Sequence, residues 1–303
     1  MALRKRIPAI ALAVGVGSGA APARAIDWSD NTLQYLYGTR FHDSNIPFNR
    51  SLPGVNITKN ILNFSHVDTY KYGGNQFSAD LRKSDGNDPA NNSTAGAQEA
   101  YVVFRTDLSF TKVSGKDWKW GFVRDVALTA GFDWNTKDTA FAPRLWRPKI
   151  GPKVEFDVPN GKWNLAFVLQ HETNHCGTCN PALGQRTDVN FGYYWGLETA
   201  WNLKLGSTNW NFSGNASYYG SKKNNGNGSP TAPETYLRAR VMYDIGAQLA
   251  GVKNTVLIGA GYQYRHNQFG NSVTPVGYPF GGPGLSVPGR NESVPMFVAE
   301  WHF

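Results

Sequence analysis

The chain has 303 residues and a formal net charge of +8, with 14% aromatic residues and 33 glycines. Four cations within residues 1–25 (Arg4, Lys5, Arg6 and Arg24) supply half of that charge, and no Lys/Arg block or basic helix follows, which argues against nucleic-acid binding. Tyr, Trp, Phe, Gly and Asn favour strands and turns, and charged or amide side chains interrupt every later apolar run, which excludes a transmembrane helix.

Residues 1–25 read as a cleaved signal peptide: a charged start, an apolar stretch over 7–20, and Ala23-Arg24-Ala25 as the small-residue cleavage pattern. Residues 26–303 then form one domain. Twelve segments with period-two alternation follow. The first, 32–41, puts Leu33, Tyr35, Tyr37 and Phe41 on one face. The second and third are 57–70 and the short 76–82. The fourth, 99–112, sets Val102, Phe104, Leu108 and Phe110 against Arg105, Asp107 and Ser109. The next three are 121–134, 149–158 and 163–170. The eighth, 188–203, sets Val189, Phe191, Tyr193, Trp195, Leu197 and Trp201 against Asp188, Asn190, Tyr194 and Glu198. The ninth is 209–219. The tenth, 235–249, sets Leu237, Ala239, Val241, Tyr243 and Ile245 against Arg238, Arg240 and Asp244. After 255–266 comes the final strand, where Phe297, Ala299, Trp301 and Phe303 share a face opposite Glu300 and His302.

Short connections (113–117, 159–161, 206–208, 251–253) alternate with long ones near 43–56, 83–98, 135–148, 171–187, 220–234 and 267–291. A soluble sandwich requires neither this asymmetry nor an aromatic terminal strand. The pattern predicts an all-β fold: a transmembrane antiparallel β-barrel of about 12 strands, with short periplasmic turns and long external loops. It places the chain in a Gram-negative outer membrane, in contact with outer-membrane lipids. The Phe303 strand is expected to close the barrel and to engage the barrel-assembly machinery.

An apolar exterior leaves the polar face for the lumen. The inward candidates are Arg105, Asp107, Asp125, Asp133, Asp188, Tyr194, Glu198, Tyr219, Arg238, Arg240, Asp244 and Arg265. Such charges either contact a solute or pair across strands and fill the barrel. His66, Asp68 and Lys71 read as a polar turn at the rim.

Several segments resemble the nucleoside-specific channels of the bacterial outer membrane, the Tsx-like family: residues 63–73 (NFSHVDTYKYG), 158–174 (VPNGKWNLAFVLQHETN), 234–246 (ETYLRARVMYDIG), 259–271 (GAGYQYRHNQFGN) and the closing VPMFVAEWHF. The resemblance implies a monomeric twelve-stranded barrel that passes nucleosides down their gradient through a narrow aromatic and ionisable lumen, with no cofactor. Tyr194 and Tyr219 would then stack on the base, with acids and amides on the ribose. The same fold also suits another small polar solute, or an occluded surface barrel.

His171, Glu172, His175, Cys176 and Cys179 crowd into HETNHCGTC, a spacing that suits zinc. Export to an oxidising compartment favours a Cys176–Cys179 disulfide over free thiols or a metal site. Residues 171–174 also faintly resemble the His and nearby Ser of outer-membrane phospholipases. Here Thr173 stands in for the serine, His171 would be its base, and no third partner is identifiable.

Overall fold

A computed structural model of the chain describes residues 26–43, 55–88, 96–138, 143–175, 181–184, 186–223, 231–271 and 291–303. The expected signal peptide over residues 1–25, Cys176 and Cys179 lie outside these residues. The described strands are β1 (Trp28–Phe41), β2 (Ile57–Tyr70), β3 (Gly73–Ser84), β4 (Gln98–Ser109), β5 (Val123–Lys137), β6 (Trp146–Phe156), β7 (Gly161–Gln170), β8 (Thr173–His175), β9 (Asp188–Asn190), β10 (Tyr194–Lys204), β11 (Trp210–Tyr219), β12 (Glu234–Asp244), β13 (Val256–His266) and β14 (Asn291–His302).

Twelve of them form the wall. Each pairs antiparallel with the next, β7 pairs with β10, and β14 returns to β1 through Thr32↔His302 to Gly38↔Met296. β5 pairs with β6, so the ring has no free edge. β8 and β9 form a small hairpin above the wall, joined to β6 by the single pair Trp146↔Thr173. The wall strands run 10–15 residues, enough to cross a bilayer.

The exterior is apolar, with Tyr35, Leu62, Leu81, Ile150, Phe167 and Phe297 among its exposed side chains. Aromatic pairs mark both ends of the strands. Phe132–Trp146 (4.7 Å) and Trp195–Tyr218 (5.6 Å) lie toward the long loops. Phe156–Trp163 (4.4 Å), Trp210–Tyr243 (4.9 Å) and Trp301–Phe303 (4.8 Å) lie toward the short turns. A lipid-facing band between two aromatic girdles is the exterior of a transmembrane β-barrel.

Four details depart from the alternation read in the sequence. Phe41 points inward and is 2% exposed, because the β1–β2 register shifts between Gly38 and Phe41 and flips the side-chain parity. β4 stops at Ser109, whose hydroxyl caps α1 (Phe110–Ser114) by accepting from the Lys112 N–H. β12 stops at Asp244, whose carboxylate accepts from the N–H groups of Gly246 and Asn254 (both 2.8 Å) and fixes the turn containing α2 (Gly246–Ala250). The segment expected as one strand over 188–203 divides at residues 191–193 into β9 and β10.

The interior also departs from a uniformly polar lining. Leu36, Ile61, Met242, Leu257, Val294, Met296 and Val298 form a buried apolar cluster on β1, β2, β12, β13 and β14. The lumen therefore has one apolar wall.

Elsewhere the wall closes tightly. A Cβ on Gly151 would lie 1.9 Å from the Phe167 carbonyl oxygen of β7. We expect Gly151→Val to cost more than about 2 kcal/mol, since backbone cannot give way as a side chain can. Loss of the heat-resistant folded band on unheated electrophoresis would report it. A variant folding as well as wild type would refute the close approach.

Candidate functional site

The wall fixes side-chain direction, so about half of each strand must project into the ring. In the inner half built from β4–β7 and β10–β12, those positions carry charge. Arg105 on β4 donates to Asp133 (2.7 Å) on β5 and reaches Glu198 (3.0 Å) on β10, four strands away round the ring. Lys149 on β6 bridges the same two acids, at 2.8 Å to Asp133 and 2.6 Å to Glu198. The Tyr219 hydroxyl donates to Glu198 (2.6 Å), and its ring lies under Arg147 (4.7 Å) and Lys149 (4.8 Å). Two cations and two carboxylates thus knot the centre of the barrel.

A second knot sits toward the long loops. Arg147 meets Glu172 (2.9 Å) and Glu234 (3.4 Å), Lys222 meets Glu172 (2.6 Å), and the Tyr194 hydroxyl donates to Glu172 (2.7 Å). Burial pushes the Glu172 carboxyl up, but Lys222 and Arg147 outweigh it and hold it at about 2. A third group crosses from the other side. Arg238 on β12 reaches Asp80 (3.0 Å) on β3, Arg82 binds Asp80 (2.8 Å) and Glu99 (3.0 Å), and Asn63 donates to Asp80 (2.7 Å). Near the loops, Lys137 holds Asp43 (3.0 Å) and Asp88 (2.8 Å). Burial raises Asp88, but Lys137 and Lys59 overcome it and leave it lowered.

Of the candidates read from sequence, Arg105, Tyr194, Glu198, Tyr219, Arg238, Arg240 and Arg265 line the lumen. Asp107 joins them through its ion pair with Lys153, and Arg240 through Glu300 (3.3 Å). Asp125 and Asp244 have turn-capping work instead: Asp125 accepts from Ser109 and Thr111, and Asp244 holds the β12–β13 turn. Asp188 is corrected outright. Its side chain is 91% exposed on β9, outside the wall, because the β8–β9 hairpin takes residues 188–190 out of the barrel. His66 and Asp68 (3.2 Å apart) do sit by the β2–β3 turn.

Arg147, Lys149, Asp80, Arg82 and Glu99 carry much of the network without having been singled out. The two on β6 did give a signal: Arg147, Lys149 and Lys153 alternate with Trp146, Pro148, Ile150 and Pro152. Lys222 gave no signal, since it lies in a connection.

The HETNHCGTC segment separates physically. Glu172 is fully buried and committed to cations, while His175 faces Asp188 (3.2 Å), so the two do not converge on a metal. The His171 ring packs on Tyr193 (5.4 Å) and makes no hydrogen bond to Thr173 among the described residues.

No family model and no curated protein matches the chain. Among solved structures it is similar to the KdgM porin (TM-score 0.42, 9% identity, 90% of this chain and 99% of that one). It is likewise similar to an outer membrane channel from Pseudomonas putida F1 (TM-score 0.47, 8% identity, 94% and 100%). A third is the translocator domain of autotransporter NalP from Neisseria meningitidis (TM-score 0.41, 11% identity, 91% and 88%). These likenesses are too distant to carry over what any of them transports.

Two outcomes follow from the knots. Glu198→Gln leaves Arg105 and Lys149 facing Asp133 alone, and should cost about 3 kcal/mol, as breaking a buried ion pair does. Urea unfolding in micelles, followed by tryptophan fluorescence, measures it. For Glu172, a folded value depressed to about 2 from 4.5 contributes stability that is complete above the unfolded value and drains away as pH falls toward 2. The melting temperature of the wild type should therefore drop more steeply between pH 4.5 and 2 than that of Glu172→Gln. Parallel curves would exclude the buried carboxylate as the cause.

Proposed function

We propose that this protein is an outer-membrane channel through which small polar solutes diffuse down their gradient, seen here with its lumen closed by side chains. One observation carries the reading: the ring is sealed and apolar outside, yet its interior is bridged by charged side chains. A barrel needed only as a solid structure is served better by apolar filling, because burying ion pairs is costly and seldom stabilising. Side-chain bridges, by contrast, can swing aside at rotamer cost and offer a passing solute weak contacts in series. In this arrangement the short turns face the periplasm, the long loops face outward, and the Phe303 strand is the part read by the assembly machinery.

Nucleosides are the finer reading, supported by the segments that resemble the Tsx-like family. Tyr194 and Tyr219 have their hydroxyls tied to Glu172 and Glu198. A base would stack on them only once those acids let go. A second reading, a permanently occluded surface barrel, is favoured by the central bridges alone, where Arg105 and Lys149 each hold two acids.

Planar-bilayer recordings separate the two. The wild type should show small or brief openings, saturably blocked by nucleosides and indifferent to neutral sugars. The Arg105→Ala/Glu198→Ala double variant should conduct several-fold more. Current blocked equally by any solute keeps the channel and discards nucleosides. Silence from both proteins, each folded, discards the channel.

A further inference from the structure

Among the described residues nearly every charged side chain inside the barrel has an opposite partner, and Arg265 has none. It projects from β13 near the long-loop end and is 6% exposed. Its Nε has no hydrogen-bond partner, and no carboxylate lies within ion-pair distance of it among the described residues. The guanidinium rests on the Tyr236 ring (4.9 Å), its register neighbour on β12. Glu292, its neighbour on β14, forms no ion pair with it and instead accepts from Gln263 Nε2 (2.5 Å) and the His42 N–H (3.2 Å).

Arg265 lines a recess together with Lys59, Arg82, Phe41, Gln268 and Glu292. Lys59, whose charge already bears on Asp88, keeps hydrogen-bonding capacity to spare. Its ammonium approaches Glu99 only to 3.8 Å, beyond hydrogen-bond distance, and sits over the Phe41 ring at 5.3 Å. Arg82 is saturated by Asp80 and Glu99, so it adds field without needing a partner. Glu99 is itself occupied by Arg82 and Asn135 (2.7 Å). The recess is partly open, and its free volume of ≈ 10 Å³ has room for about one water or one ligand oxygen.

A buried guanidinium carries five donors in a planar fork, and leaving it without an acceptor is costly. The fork matches the spacing of two oxygens on a carboxylate or phosphate, and the tyrosine beneath it fixes its plane. We propose that Arg265 and Lys59 form an oxyanion subsite at the long-loop end of the lumen, taking the carboxylate or phosphate oxygens of a small solute while its remainder stays outside the recess. This extends the channel reading from polar solutes to ones bearing a single anionic group. It concerns equilibrium binding, so it stands or falls without flux.

The test is isothermal titration of the full folded barrel in a zwitterionic detergent, with inorganic phosphate and with acetate as separate probes. Saturable one-to-one binding of either is expected, and which probe binds tells phosphate from carboxylate. Arg265→Gln should weaken it at least about tenfold and Lys59→Gln by less, while Arg124→Gln, which removes an arginine paired with Glu155 away from the recess, should leave it unchanged. Because Arg265→Gln removes an unpaired buried charge, the variant should melt no lower than wild type without ligand, and its melting should not rise with the probe. Absence of binding in folded wild type, or equal binding in Arg265→Gln, overturns the subsite. A conducting barrel without this affinity sinks only the subsite, and a silent barrel with it sinks only the channel.

Discussion

Everything in this molecule depends on closing the backbone ladder. Inside a bilayer no water is available for an unpaired N–H or C=O, so a wall strand with a free edge is not viable. The β1–β14 seam supplies the last pairing, with partners from Thr32↔His302 to Gly38↔Met296. Once the ring is closed, strand parity dictates everything else. One side chain in two must meet lipid, and the rest are forced into a shared interior far smaller than the exterior. Twelve strands leave too wide a bore for short aliphatic side chains to fill and too narrow a one for a broad water channel. Long ionic side chains span that distance.

The interior then divides by wall. β14, β1 and β2 contribute Val294, Met296, Val298, Leu36 and Ile61, while β4–β6 and β10 contribute Arg105, Asp133, Arg147, Lys149 and Glu198. The bore thus has one greasy and one ionic side. This explains why the bridges reach across so unevenly. Arg238 must extend from β12 to β3 to find Asp80, because the strands between them offer few acids and much hydrocarbon.

How much of this the sequence disclosed follows from how local each determinant is. β2 ran over the expected 57–70, and β7 and β13 differed from expectation by one or two residues, since period-two alternation is a property of the strand itself. Phe41 misled because a bulge two residues earlier reverses parity, and nothing in the residues 38–41 announces it. Asp188 misled because β9 alternates as well as a wall strand does while pairing only with β8. The inward charges could be named one by one, but their partners could not. Arg105 and Glu198 lie 93 residues apart, and their meeting depends on the stagger of strands that never touch. Of the loop-borne members, Lys222 was invisible for the same reason, and Glu172 stood out only as a possible metal ligand.

The bridges differ in what holds them, and this ranks them as obstacles. At the short-turn end Lys162 of β7 lies over the ring of Trp28 on β1 (4.7 Å), nearly opposite strands of the ring. Trp28 is half exposed there, and a partly solvated cation–π contact is worth about 0.5–1 kcal/mol. Thermal motion opens such a contact freely. The central knot is different: the Lys149 side chain is 0% exposed and Asp133 3%, and each cation touches two acids. Removing one bond there leaves the other in place, so a single rotamer change does not clear the bore. In the channel we propose, passage requires a solute that substitutes for the partners it displaces, with oxygens for Arg105 and Lys149 and donors for Asp133 and Glu198. Selectivity in such a barrel resides in that exchange of hydrogen bonds more than in the width of the opening.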